Sequence, residues 1–105
     1  MANWVRIARA TDCPGGSAVE RVVADRVIAL FNVEGTFYAL DGVCPHQGGP
    51  LGQGTLAGAI VTCPWHGWQF DVGSGANQLN CRIIQPRFDV RVEGEWILVN
   101  LESVE

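Results

Sequence analysis

Residues 44–71 read CPHQGGPLGQGTLAGAIVTCPWHGWQFD, and both histidines of the protein lie within them. The segment opens on Cys44-Pro45-His46 and closes around Cys63-Pro64-Trp65-His66, with the sixteen residues Gln47 to Thr62 between the two motifs. A lone cysteine is ordinarily a small buried hydrophobe, and a lone histidine a polar surface or core residue. Two Cys/His pairs flanked by Pro and Gly point instead to a metal site, because thiolate and imidazole are strong metal donors and short loops hold them in place.

Two metals suit such a donor set. Zinc accepts two thiolates and two imidazoles in a tetrahedron, but the usual finger takes its cysteines from one hairpin and its histidines from one helix. Here each segment carries one of each, and no helix is available to present a histidine pair. A 2Fe-2S rhomb accounts for the mixing, since two loops can each send a cysteine to one iron and a histidine to the other.

Cys44-Pro45-His46-Gln47-Gly48-Gly49-Pro50-Leu51 and Cys63-Pro64-Trp65-His66-Gly67-Trp68-Gln69-Phe70-Asp71 resemble the Rieske family, in particular Rieske-type ferredoxins and the Rieske domains of oxygenases. The resemblance extends less specifically from about Val5 to Leu101. It implies one Rieske-type 2Fe-2S cluster, with Cys44 and Cys63 on the inner iron and His46 and His66 on the outer one. Neutral imidazoles leave the oxidised cluster uncharged where four thiolates would leave it at minus two. The potential therefore rises from about −400 mV toward about −150 to +300 mV.

The resemblance also indicates where in that range the protein falls. High-potential relatives join the two loops by a disulfide at positions matching Gly49 and Trp65, and offer cluster hydroxyls at positions matching Trp68 and Phe70. None of those groups is present here, so the low end of the class is expected, with backbone amides around Gln47, Gly48 and Trp65 as the remaining donors. Pro45, Pro50 and Pro64 stiffen the loops, and Trp65 and Trp68 can shield the cluster or simply pack in the core.

Working outward, the chain reads as short strands and turns. Strands are expected at Trp4 to Ala8, Val19 to Val23, Arg26 to Val33, Thr36 to Leu40, Ala59 to Thr62 and Trp68 to Asp71. Alternating Phe88, Val90 and Val92 make a further strand, with Glu95 to Leu101 as its return. Glu34-Gly35 and Glu93-Gly94 mark hairpin turns. The expected fold is all-β: Rieske-like stacked antiparallel sheets in one domain, 1–105, with an inserted loop-rich cluster-binding subdomain at about 41–76.

The 105 residues suffice for one core, and the net charge of −4 comes with seven scattered arginines and no lysine. Neither nucleic acid nor an anionic membrane finds a basic patch. The longest apolar run, Val27 to Phe31, is too short to cross a bilayer. Met1 to Ala10 lacks the apolar stretch of a secretory signal, so a cytoplasmic location is expected. Cys13 and Cys81 have no histidine neighbours and read as buried free thiols, with a disulfide between them left open.

No glycine-rich dinucleotide turn is present. Both histidines are taken by the cluster, which leaves none for the mononuclear iron of an oxygenase catalytic subunit. The expected function is one-electron transfer without catalysis, as the ferredoxin component between a reductase and a terminal Rieske oxygenase. Docking is expected near His46 and His66, framed by Pro50, Leu51 and Trp65. Alternatives are the small subunit of an NAD(P)H nitrite reductase, beside its large subunit, and a colourless zinc-stabilised interaction module.

Overall fold

The computed structural model describes residues 3–45, 48–65 and 67–102. Among the described residues nine strands follow one another: β1 (Trp4–Arg9), β2 (Ala18–Val23), β3 (Arg26–Val33), β4 (Thr36–Asp41), β5 (Thr55–Ala57), β6 (Ile60–Thr62), β7 (Gln69–Asp71), β8 (Arg87–Glu93) and β9 (Trp96–Asn100). Short 3-10 turns occupy Ala10–Asp12 and Leu51–Gln53. The strands pair antiparallel into a six-stranded sheet of order β1-β9-β8-β4-β3-β2 and a three-stranded sheet β5-β6-β7. The outer strands of the larger sheet approach each other: the Arg21 guanidinium on β2 donates to the Ile7 carbonyl on β1 at 3.2 Å, so the sheet curls toward a barrel. The all-β expectation holds.

Strand β3 explains how the layers stack. Side chains alternate along a strand, so Ile28 and Leu30 enter one core while Ala29 and Phe31 enter the other. All four are wholly buried. A strand covered on both faces reads as the continuous apolar run seen in the sequence. Its first core lies inside the curled sheet, with Ile7, Phe88, Ile97 and Val99. Its second core lies against the small sheet, with Leu40, Leu51, Val61, Phe70 and Val72, and takes in Cys44 and Cys63.

The turns match expectation unevenly. Glu34 and Gly35 both adopt positive φ, 51° and 92°, as a two-residue type I′ hairpin requires. At the second hairpin β8 runs through Glu93, and the turn is Gly94-Glu95, one residue beyond the expected pair. A third tight turn has no sequence signal: Ala24 and Asp25 link β2 to β3, both left-handed at φ 51° and 63°.

Arginines scattered in the sequence gather on the β1-β9-β8 layer. Arg6 and Arg9 stack over the Trp96 ring at 5.0 and 4.9 Å, and Arg91 over Trp4 at 4.3 Å. Arg91 also pairs with Glu93 at 2.8 Å, so part of this positive charge is balanced locally. Among the described residues no helix is long and apolar enough to cross a membrane.

Candidate metal centre

Cys44 follows β4 after a two-residue stem, Gly42-Val43, and Cys63 follows β6 directly. Each is 1% exposed, and both belong to the core between the sheets. His46 and His66, the other two expected ligands, lie outside the described residues, as does Gln47.

The two cysteine loops close by the same device. The Cys44 N–H donates to the Gly49 carbonyl at 2.9 Å, and the Cys63 N–H donates to the Trp68 carbonyl at 2.7 Å, five residues on in both cases. Each cysteine is followed by an exposed proline, Pro45 or Pro64, which fixes the first bend. The fifth position is Gly48 in one loop and Gly67 in the other, both at φ 74°, a left-handed conformation that a side chain would strain. In sequence the histidine stands third in the first loop and fourth in the second.

The first loop is anchored from below. The Gly42 N–H donates to the Val27 carbonyl at 2.8 Å, and the Leu51 N–H to the Gly42 carbonyl at 2.9 Å. Asp41 Oδ1 accepts from the Val43 N–H at 2.9 Å. Contact between the loops is made at Gly49: a Cβ there would lie 2.7 Å from Cys63 Sγ and 2.9 Å from Trp65 Cβ. The loops thus touch at the two positions where high-potential relatives were expected to carry a disulfide, and here a glycine admits the facing sulfur instead.

Several expectations need correction. The Gly48 N–H donates to the Cys44 carbonyl at 3.0 Å within its own loop, so it is not a spare donor. Leu51 is wholly buried and cannot frame a docking surface, whereas Trp65 is 49% exposed. Trp68 is partly buried and packs at 6.4 Å, tilted by 46°, on the wholly buried Phe70. Of the remaining cysteines only Cys13 is buried; Cys81 is exposed, and neither forms a disulfide. Burial pushes the Cys13 thiol above its usual range, partly offset by the Ser17 hydroxyl, which donates to it at 3.5 Å.

Sequence reasoning missed Gln85. Its carboxamide is 2% exposed and donates to the carbonyls of Asp41 and Val43 at 2.6 and 2.7 Å. Only the proline after it hints at that role.

The residues present fit a Rieske cluster. Two soft sulfur donors sit in one apolar pocket, on loops of matched closure, and Gly49 leaves one sulfur uncovered toward the other loop. The Rieske [2Fe-2S] domain model matches residues 3–99. The ferredoxin component of the naphthalene 1,2-dioxygenase/salicylate 5-hydroxylase systems of Ralstonia sp is 40% identical over 73 residues, 70% of each chain. The naphthalene 1,2-dioxygenase ferredoxin component of Pseudomonas aeruginosa is 30% identical over 101 residues, 94% of this chain and 96% of that one. Among solved structures, a chain from the complex of reduced oxygenase and oxidized ferredoxin in carbazole 1,9a-dioxygenase superposes with a TM-score of 0.83 at 29% identity, covering 92% of both chains. With buried cysteines on paired loops and a family match over nearly its whole length, the chain belongs to the Rieske [2Fe-2S] domain family and is an electron carrier with one Rieske-type 2Fe-2S cluster.

Proposed function

We propose that this chain is the ferredoxin component of an oxygenase system, passing single electrons from a reductase to a separate terminal oxygenase, with Cys44, His46, Cys63 and His66 as its cluster ligands. When bound, the cluster supplies a one-electron couple. The observation that carries the reading is the pair of buried thiols on two loops of matched closure, together with relatives named as ferredoxin components over most of their length.

Each part of the chain then has a task. The apolar core around Leu51, Val61 and Phe70 keeps water from the cysteine sulfurs, while the exposed prolines and half-exposed Trp65 give a partner a rigid, partly apolar surface. Residues 41–76 are the cluster-binding unit of a single domain spanning 1–105. A reducing cytoplasm is the compartment that keeps these cysteines available as ligands.

Reconstitution tests the reading. Purified chain, a ferredoxin reductase with NADH, and a Rieske oxygenase with its aromatic substrate are combined, and product is measured. Turnover that requires the chain, and is lost in His66→Ala with the reductase and oxygenase intact, is expected. A chain that is reduced but never reoxidised by any oxygenase of a broad panel contradicts it.

A further inference from the structure

We propose that Gln85 is a positioning residue for the cluster: its buried carboxamide holds the stem of the Cys44 loop while its backbone, through Gly75, is tied to the end of the strand that follows the Cys63 loop, and the residue so sets the separation of the two cysteines. The inference rests on Cys44 and Cys63 being ligands, as argued above.

The need for such a tie begins with a proline. Strand β4 pairs with β8 through Ala39↔Phe88 and Leu40↔Arg87. The ladder continues one step as the Asp41 N–H donates to the Pro86 carbonyl at 2.8 Å. In an antiparallel hydrogen-bonded pair the opposite residue returns a bond, but Pro86 has no N–H to give. The Asp41 carbonyl would be left without its ladder partner.

Gln85 supplies the missing donor from its side chain. One N–H of Nε2 meets the Asp41 carbonyl and the other meets that of Val43, the residue before Cys44. Both donors of the amide nitrogen are thereby used. The backbone of Gln85 faces the other loop. Its N–H donates to the Gly75 carbonyl at 2.7 Å, and the Gly75 N–H donates to the carbonyl of Asp71, the last residue of β7, at 2.7 Å. Gly75 lies so close to the Gln85 carbonyl that a side chain there has no room. One residue therefore joins the stem of one cysteine loop to the exit of the other.

The experiment compares cluster-loaded wild type, Gln85→Leu, Gln85→Lys and the double variant Gln85→Leu/Pro86→Ala. Iron release to a chelator, the EPR spectrum of the reduced cluster and thermal unfolding are measured on each. Gln85→Leu is expected to release iron about tenfold faster or more, the equivalent of one lost buried hydrogen bond, with altered EPR g-values. Gln85→Lys, which restores a donor, is expected to recover most of the wild-type behaviour. If Gln85→Leu does not fold, the double variant takes its place, since the Pro86→Ala change returns a backbone donor to Asp41 while the Val43 carbonyl still lacks the carboxamide; the same faster release is expected.

Gln85→Leu, or the double variant where it takes that place, folded and with wild-type iron release and wild-type EPR even at lowered melting temperature, overturns the proposal and leaves Gln85 a purely structural residue. That outcome is distinct from failure of the cluster reading itself, which appears as wild-type protein that binds no cluster.

Discussion

Gly49 and Phe70 show how single positions govern this site. A methyl group at Gly49 would sit 2.7 Å from Cys63 Sγ, well inside contact distance, and the neighbour is a sulfur fixed by its own loop. Gly49→Ala is therefore expected to destabilise the protein by about 1–3 kcal/mol and to leave a substoichiometric cluster, read as iron per chain. Full loading would show that the loops are more compliant than the contact implies. Phe70 is wholly buried in the same core as Cys44 and Cys63, where a hydroxyl could reach the cluster. Phe70→Tyr is expected to raise the midpoint potential by on the order of 40 mV, one net hydrogen bond of about 1 kcal/mol converted for a single electron. Potentiometric titration showing no upward shift would separate this position from the family hydroxyl it resembles.

Among the elements, the hairpins were partly legible. Glu34-Gly35 announces its turn because glycine accepts the left-handed second position, and the β8 alternation announces its strand. The Ala24-Asp25 turn does not announce itself, since it holds no glycine and Ala24 takes a left-handed conformation that its type disfavours, while Asp25 tolerates one. It forms because β2 and β3 pair in register from Ala18↔Phe31 to Val23↔Arg26, and that pairing leaves only two residues to reverse the chain. Left-handed backbone costs an ordinary residue roughly 1–2 kcal/mol, and glycine lacks that cost at some loss of unfolded-state entropy. Ala24→Gly is thus expected to raise the melting temperature by about 2–5 °C; an unchanged or lower value would mean that the turn is not strained. Strand β5 escaped the sequence because Thr55, Leu56 and Ala57 carry no alternation of their own and are ordered by pairing with β6.

At the scale of the molecule, the sequence carried the two Cys/His motifs of the family and the all-β architecture because both rest on local signals: donor spacing, and the period of apolar residues. It did not carry what depends on long-range approach. The contact of Gly49 with the Cys63 loop, the burial of Leu51 and the stacking of Arg6, Arg9 and Arg91 on Trp96 and Trp4 are set by how the sheets pack. The function of Gln85 is likewise invisible until Pro86 is seen opposite Asp41.

The central claim is that two loops share the cluster with one cysteine and one histidine each. Pulsed EPR of the dithionite-reduced protein addresses it directly, because a coordinated imidazole nitrogen couples magnetically to the cluster. Two distinct nitrogen couplings are predicted, one disappearing in His46→Cys and the other in His66→Cys. A reduced iron-sulfur spectrum without strongly coupled nitrogen, or a colourless protein that holds zinc, contradicts it.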